Sequence, residues 1–474
     1  MNRGSRTINL SRIIERWAAH FPDKVALHSH GEDLTYRALW QRIEAAAAGL
    51  GVARGDRVAY LGYNEPRMLV LLFALARAGA ILVPLNWRLT AAEHRAILAD
   101  CAPRYLVAEK EFARHAADLG VPLEPAATAG SPGPEGTDAD DVLIVYTSGT
   151  TGKPKGAVLT QAALLWNGFN GIHAHDLGQA DHVLTALPMF HVGGLNNQTL
   201  PALLAGASVT LHRRFDPALW LADVPRRRPT VSLLVPAAIQ AVITHPAWPG
   251  TDLSSLKMLN AGSMVIPDSQ IRAFHARGVP VGQIYGCTET APIATVLLKE
   301  DAERKLGSAG KAAPHCEVRL VEGEVQVRGP NVMRGYWNDP AATAAAFAAG
   351  GWFRTGDLGR FDQDGYLWIM GRSKDVIISG GENVYPAELE NVLADCPAIA
   401  EAAVVGIPDP KWGEAACACI VRRDPLDETA VLALFRDRLA KFKHPRRIVF
   451  LDALPRNAMG KVQKFELKRL LESP

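Results

Sequence analysis

Two spacings of apolar residues share the first hundred positions. ERWAAHFPDKVAL (15–27) reads as helix, turn and strand, LTYRALWQRIEAAAAGL (34–50) as a longer amphipathic helix, and DRVAYLG (56–62) as a short buried strand. Met68 to Leu85 is the most apolar region, but Arg77, Gly79 and Pro84 break it, which predicts a buried helix followed by a strand. Such alternation implies α/β layers with parallel strands. The breaker-rich stretch ATAGSPGPEGTDAD (127–140) predicts a surface loop, and DVLIVY (141–146), apolar on both faces, a central strand. Helix and strand patterns continue to about residue 300. A strand-rich stretch follows, with CEVRLV and GEVQVRG joined by a turn at Gly323. From Gly371 the pattern becomes a fresh small α+β unit: DVIIS, a helix at PAELENVLAD, EAAVVGI, ACACIVRR, a helix near ETAVLALFRDRLAKF, and RRIVFL. The expectation is an α/β chain. A large N-terminal domain (1–372) is built of layered α/β subdomains plus a β-rich one, and a small α+β domain (373–474) follows.

Composition narrows the partners. The 474 residues carry 51 Lys plus Arg against 49 Asp plus Glu, a formal charge of +2, with no concentrated basic face to hold DNA or RNA. The one basic run, Arg226, Arg227 and Arg228, reads as a solvated helix end. Six cysteines are too sparse for a secreted disulfide framework, which points to the cytosol, and Cys417 and Cys419 alternate as core thiols on one strand face. No segment reads as a signal peptide or an integral membrane span. His173 and His175 have no acidic or thiol partner nearby in sequence and read as surface residues.

The chemistry begins at YTSGTTGKPKG (146–156), where a buried strand runs into a loop with three glycines, four hydroxyls and two lysines. Backbone N–H groups of such loops turn inward on phosphate oxygens, hydroxyls add donors, and lysines add compact positive charge. Thr147, Ser148, Gly149, Thr150, Thr151, Gly152, Lys153 and Lys155 are therefore candidate nucleotide-binding residues. It is not a Walker A loop, because Thr147 and Pro154 occupy places where that motif needs Gly and Ser or Thr.

This loop and five further motifs resemble the AMP-forming (adenylating) superfamily of acyl-CoA synthetases, adenylation domains and luciferases. They are LPMFHVGG (187–194), YGCTET (285–290), RTGDLG (354–359), GRSKDVIISGGENVYPAELE (371–390) and PRNAMGKVQK (455–464), in the family's order and across essentially the whole chain. The resemblance implies an acid–CoA ligase using ATP, Mg²⁺ and coenzyme A. A carboxylate attacks the α-phosphate to give an acyl-adenylate and pyrophosphate, and a thiol then displaces AMP. Both first-step reactants are anions, so fixed positive charge must neutralise them. At an effective dielectric near 20 a unit charge about 4 Å away contributes roughly 4 kcal/mol, or roughly a thousandfold in rate if realised fully in the transition state.

By resemblance, Glu289 holds the magnesium, Thr288 donates to the α-phosphate, Tyr285 stacks on adenine, Asp357 binds the ribose diol and Arg372 contacts the nucleotide. Lys461 is the mobile catalytic lysine, while Lys464 and Lys468 read as surface residues of the closing helix. Lys374 aligns with the hinge, Gly380 and Gly381 leave room for a pantetheine arm, and His191 gates the acyl pocket and ATP entry. Relatives line that pocket with the positions held here by Val192, Gly193, Gly194, Asn196, Gly262, Ser263, Gly286, Cys287 and Ala291. The lining is small and uncharged. It suits a long or flat apolar acid, medium- or long-chain fatty or hydroxycinnamic, gaining roughly 25 cal/mol per Å² of buried apolar surface. An o-succinylbenzoate ligase, with Arg213 or Arg214 on a distal carboxylate, and a free-standing enzyme loading a carrier-protein thiol stay open. A non-catalytic nucleotide-binding regulator would be expected to lose Lys461 or Glu289, and both are kept. Monomer or homodimer is likewise open.

Overall fold

The structure, a computed structural model, describes residues 9–124, 135–147, 154–263, 266–456 and 462–472. Two large sheets form the N-terminal part. In the six-stranded sheet the order is Gly335–Tyr336, Lys155–Thr160, Asp141–Thr147, Ile81–Leu85, Arg57–Leu61 and Tyr105–Ala108. Its last four strands run parallel and the first two antiparallel. In the nine-stranded sheet, Val281–Tyr285, Met258–Gly262, Val231–Leu234, His182–Thr185, Ser208–Leu211 and Val25–Ser29 form a parallel run. Short antiparallel strands close both of its edges.

The apolar pattern explains the layering. Helices Tyr36–Gly49, Pro66–Ala78 and Gln161–Ala174 place Leu39, Leu72 and Leu164 in one core with Leu82 and Leu143 from the first sheet and Val183 and Val209 from the second. Pro66–Ala78 is buried almost all round, begins at Pro66 and stops at Gly79, which is left-handed (φ 67°). Thr35 and Thr160 each accept an N–H three residues on and start their helices. The expected central strand 141–146 is interior, between Ile81–Leu85 and Lys155–Thr160. Of the expected loop 127–140, positions 127–134 lie outside the described residues.

A third, antiparallel sheet carries Glu317–Val321, Glu324–Arg328, Trp352–Phe361 and Leu367–Arg372, with the expected hairpin turning at Glu322 and Gly323. A fourth lies wholly within residues 377–450. Along its strand Gly413–Arg422, Ala416, Ala418 and Ile420 face one small core, while Cys417 and Cys419 face another with Leu454 and Leu467. Alternation thus seats both thiols in the core as expected. The chain is α/β, with a large N-terminal domain and a smaller C-terminal one. One element is shorter than its periodicity: the helix expected near 428–442 ends at Ala433, and Asp437 (φ 61°) takes a left-handed turn that α-helix cannot continue through.

Candidate active site

The site residues gather where strands end. Gly262 and Tyr285 are the last residues of the adjacent parallel strands Met258–Gly262 and Val281–Tyr285, and Ser263 and Gly286 follow them. Carboxyl ends of parallel strands are where open α/β sheets bind ligands. Gly286 is backbone-critical. Its φ is 157°, and a Cβ there would lie 1.7 Å from the Pro292 carbonyl oxygen. The two backbones therefore close a tight loop around Cys287, Thr288 and Glu289. Thr290 secures it, with its hydroxyl on the Pro292 carbonyl at 2.7 Å and accepting the Cys287 N–H at 3.0 Å.

Asp357 comes from the third sheet, opposite Arg372 in the antiparallel pair Trp352–Phe361 and Leu367–Arg372. The Tyr285 hydroxyl donates to Asp357 Oδ2 at 2.8 Å, and Arg372 Nε is 3.2 Å from Oδ1. One carboxylate is thus held between a phenol from one sheet and a guanidinium from another. Burial would lower the Arg372 pKa, but Asp357 together with Cys287, Tyr285 and Asp375 outweighs it, and the value stands above its ordinary one. Burial and then Asp357 drive the Tyr285 hydroxyl well above its usual range, so it stays a donor. The Cys287 thiol is also pushed well up, by burial first and then by Glu289 and Asp357, both of which reach it electrostatically.

Glu289 accepts the Tyr336 hydroxyl at 2.8 Å through Oε1, and its carbonyl accepts the Met333 N–H at 2.8 Å. Lys155 Nζ stands 5.3 Å from the Tyr336 ring centroid. Lys155, Tyr336 and Glu289 thereby link the start of strand Lys155–Thr160 to the Glu289 turn. Thr288 is buried. The flanks of the glycine-rich loop are anchored: Tyr146 donates to Asp100 at 2.5 Å, and Thr147 to the Lys155 carbonyl at 3.4 Å. Ser148, Gly149, Thr150, Thr151, Gly152 and Lys153 lie outside the described residues, as does Lys461. Among the described residues no group of three His, Cys, Asp or Glu is arranged around a metal position. Mg²⁺ takes one or two carboxylates plus phosphate oxygens and water, so the single carboxylate of Glu289 fits it.

His191 is half-buried and its Nδ1 accepts the Gly193 N–H at 3.0 Å, capping the short turn Val192–Gly194. Lys374 is exposed in the turn Ser373–Asp375 between the third and fourth sheets. Gly380 and Gly381 are both left-handed (φ 62° and 85°). At Gly381 a Cβ would meet nothing, whereas at Gly380 it would strike the Trp412 ring at 2.5 Å, so there the missing side chain makes room for the indole. Lys464 pairs with Glu390 at 2.7 Å within the small domain.

Two expectations are corrected. His175 is not a surface residue: it is fully buried, with Nε2 2.7 Å from the Asn197 carbonyl and Nδ1 2.6 Å from Asn260 Nδ2. Its partners are 22 and 85 residues away, and only the fold joins them. Arg213 is not open to a substrate carboxylate. It pairs with Glu65, Glu109 and Glu111 at 2.8–2.9 Å, and Arg214 lies over the Tyr63 ring. Tyr336 was missed in the sequence, since RGYW carries no local sign of a partner 47 residues away.

Residues 14–337 match the AMP-binding enzyme family, and residues 388–461 match the AMP-binding enzyme C-terminal domain. The chain is 48% identical over 502 residues to the indoleacetate–CoA ligase of Aromatoleum aromaticum, covering 98% of each. It is 42% identical over 478 residues to a feruloyl-CoA synthase of Amycolatopsis sp, covering 96% of this chain and 97% of that one. The o-succinylbenzoate coenzyme A synthetase of Bacillus subtilis, solved in complex with ATP and a magnesium ion, superimposes with a TM-score of 0.89 at 31% identity, over 96% of this chain and 99% of that one. The chain belongs to the AMP-binding enzyme family.

Proposed function

We propose that this protein activates flat aromatic acids of the indoleacetate and ferulate kind, in a site assembled from the residues above. The chain is an AMP-forming acid–CoA ligase: it joins a carboxylic acid to ATP as an acyl-adenylate, releases pyrophosphate, and passes the acyl group to a thiol with loss of AMP. The observation that supports the site best is the Asp357 carboxylate held between Tyr285 and Arg372, with Cys287 in reach of both Asp357 and Glu289. A carboxylate fixed in this way presents acceptor lone pairs to a ribose diol at no cost of ordering. Arg372 adds a permanent charge toward the nucleotide, and Thr288 a hydroxyl for the α-phosphate. Glu289 would hold the magnesium, whose charge neutralises triphosphate oxygens as the leaving group departs.

Lys155 and the 148–153 loop cradle the phosphates, and Lys461 brings an ammonium to the α-phosphate and carboxylate for the first step. The domains divide at residues 372 and 373. Lys374 lies in the turn where the small domain swings, carrying Lys461 away and bringing Gly380 and Gly381 toward the thiol channel. His191 gates the entry of the acid, with Val192, Gly193, Gly194, Gly262, Ser263 and Ala291 along its path. Coenzyme A is the thiol acceptor, and the setting is cytosolic: all six cysteines carry free thiols. Among the described residues no helix is long and apolar enough to cross a membrane. The aromatic class is supported by full-length relatives of 48% and 42% identity, against 35% for a long-chain fatty-acid ligase.

The test is an acid panel with ATP, magnesium and hydroxylamine, then with CoA and thioester detection by mass. Indole-3-acetate or a hydroxycinnamate should give the highest kcat/KM. A preference for palmitate would refute the aromatic reading, and thioester formed only on a carrier-protein thiol would refute CoA.

A further inference from the structure

Beyond the gate, residues Leu195–Thr199 form one wide π-helical turn with all five side chains buried. Such turns are rare and cluster at functional sites. This one is built by its neighbours. Pro201 lacks the N–H that would close an α-helical bond on the Asn197 carbonyl, and His175 Nε2 takes that carbonyl instead at 2.7 Å. The Thr199 hydroxyl pairs with Thr185 at 2.8 Å and with the Gly194 carbonyl at 2.6 Å. Asn167 donates to the Asn196 carbonyl at 2.7 Å and accepts the Ile293 N–H at 3.0 Å. The Asn196 and Asn197 carbonyls and the Thr199 hydroxyl are therefore paired. Two side chains are not: the amides of Asn196 and Gln198 are fully buried, and none of their four polar atoms has a hydrogen-bond partner. Buried amides without partners are rare in native structures.

The Asn196 backbone is one side chain away from Ile293, five residues past Thr288, and Val192 and Leu195 share a core with Ala291 and the packed Cys287. The turn thus borders the acyl side of the site. An alkyl chain would leave the amide unpaired on binding, whereas a ring bearing a polar hydrogen would give its oxygen a partner.

We infer that Asn196 is a specificity-determining residue whose amide hydrogen-bonds a ring N–H or ring O–H of the acyl group, so that the enzyme selects aromatic acids carrying such a group over isosteres without one. This rests on the ligase reading above and deepens it. Sites built to bond a polar hydrogen reject analogues lacking it far more strongly than apolar pockets reject a methylene.

The experiment measures kcat/KM with ATP, magnesium and CoA for two matched pairs: indole-3-acetate against benzothiophene-3-acetate, and 4-hydroxycinnamate against cinnamate. The first pair reads an N–H and the second an O–H. In the wild-type enzyme one pair should differ by about tenfold or more, and Asn196→Leu should collapse that ratio to within about threefold. Without substrate, Asn196→Leu should melt no lower than wild type, because Leu replaces an unpaired amide with an apolar group of similar shape. Equal use of both members of both pairs by the wild-type enzyme overturns the inference, whatever the variant does. So does a ratio that survives Asn196→Leu or collapses only in Gln198→Leu, and so does a melting temperature lowered by Asn196→Leu. Failure of every acid to support pyrophosphate exchange would instead bring down the ligase reading, and this inference with it.

Discussion

Gly286→Ala is the sharpest perturbation of the site. The added Cβ would sit 1.7 Å from the Pro292 carbonyl oxygen, a backbone atom, when real Cβ contacts essentially never fall below 3.0 Å. Either position 286 or position 292 must retreat by about 1.3 Å, the difference between those two distances. The φ of 157° adds strain for any L side chain there. Thr288 and Glu289 lie between the two clashing backbones, so the retreat moves both. Misplacing reacting groups by about 1 Å costs about a hundredfold in rate. ATP–pyrophosphate exchange with a good acid should therefore fall by about a hundredfold in Gly286→Ala. Gly365→Ala is the control, since Gly365 is also left-handed (φ 79°) but has nothing within 4 Å of an added Cβ. Its exchange rate should stay near wild type, with only the modest stability loss of a strained turn. If Gly286→Ala kept more than about a tenth of wild-type exchange while melting normally, the loop closure would not be what positions Thr288 and Glu289.

Three further outcomes are expected. Asp357→Ala leaves the Tyr285 hydroxyl and Arg372 without their shared acceptor and removes the proposed ribose partner, so kcat/KM for ATP should fall by about a hundredfold or more, with a smaller effect on the reaction of a supplied acyl-adenylate with CoA. Lys461→Ala should cut acyl-adenylate formation by about a thousandfold while that second half-reaction survives, and Lys374→Pro should do the reverse; equal loss of both half-reactions in both folded variants would refute the rotating-domain account. His175, fully buried, has its pKa pushed down to about 4 by desolvation. The unfolded chain takes up a proton below about 6.5 and the folded one does not until about 4, so this stability is full above pH 6.5 and is lost as the pH falls between those values. The gap amounts to about 3 kcal/mol. Between pH 7 and pH 4, denaturation of the wild type should therefore lose about that much more than His175→Gln; parallel pH curves would show that His175 is not held neutral.

How far the sequence was legible follows from where each signal resides. YGCTET and TGD are local, because ending a strand at a turn is decided by neighbouring residues. Strand 141–146, the buried helix before Ile81–Leu85 and the paired thiols Cys417 and Cys419 were readable for the same reason: period and apolarity are local properties. His175 and Arg213 were misread because their partners are not local. The three carboxylates on Arg213 come from positions 65, 109 and 111, and nothing near RRF announces them. Helix 428–433 is shorter than its apolar period, and the left-handed turn at Asp437 beyond it is a choice that apolar periodicity does not encode.

Residue type and spacing by themselves determined that this protein handles an anionic nucleotide, that its layers are α/β, and which side chains are candidates for the reaction. Only the tertiary structure decided which of those side chains meet. Asp357 with Tyr285 and Arg372, and Glu289 with Tyr336, are contacts across tens of residues, and the amides of Asn196 and Gln198 are buried without partners. Short-range propensity acts over a few bonds, whereas a carboxylate's partner and a buried amide's isolation exist only once distant strands have packed.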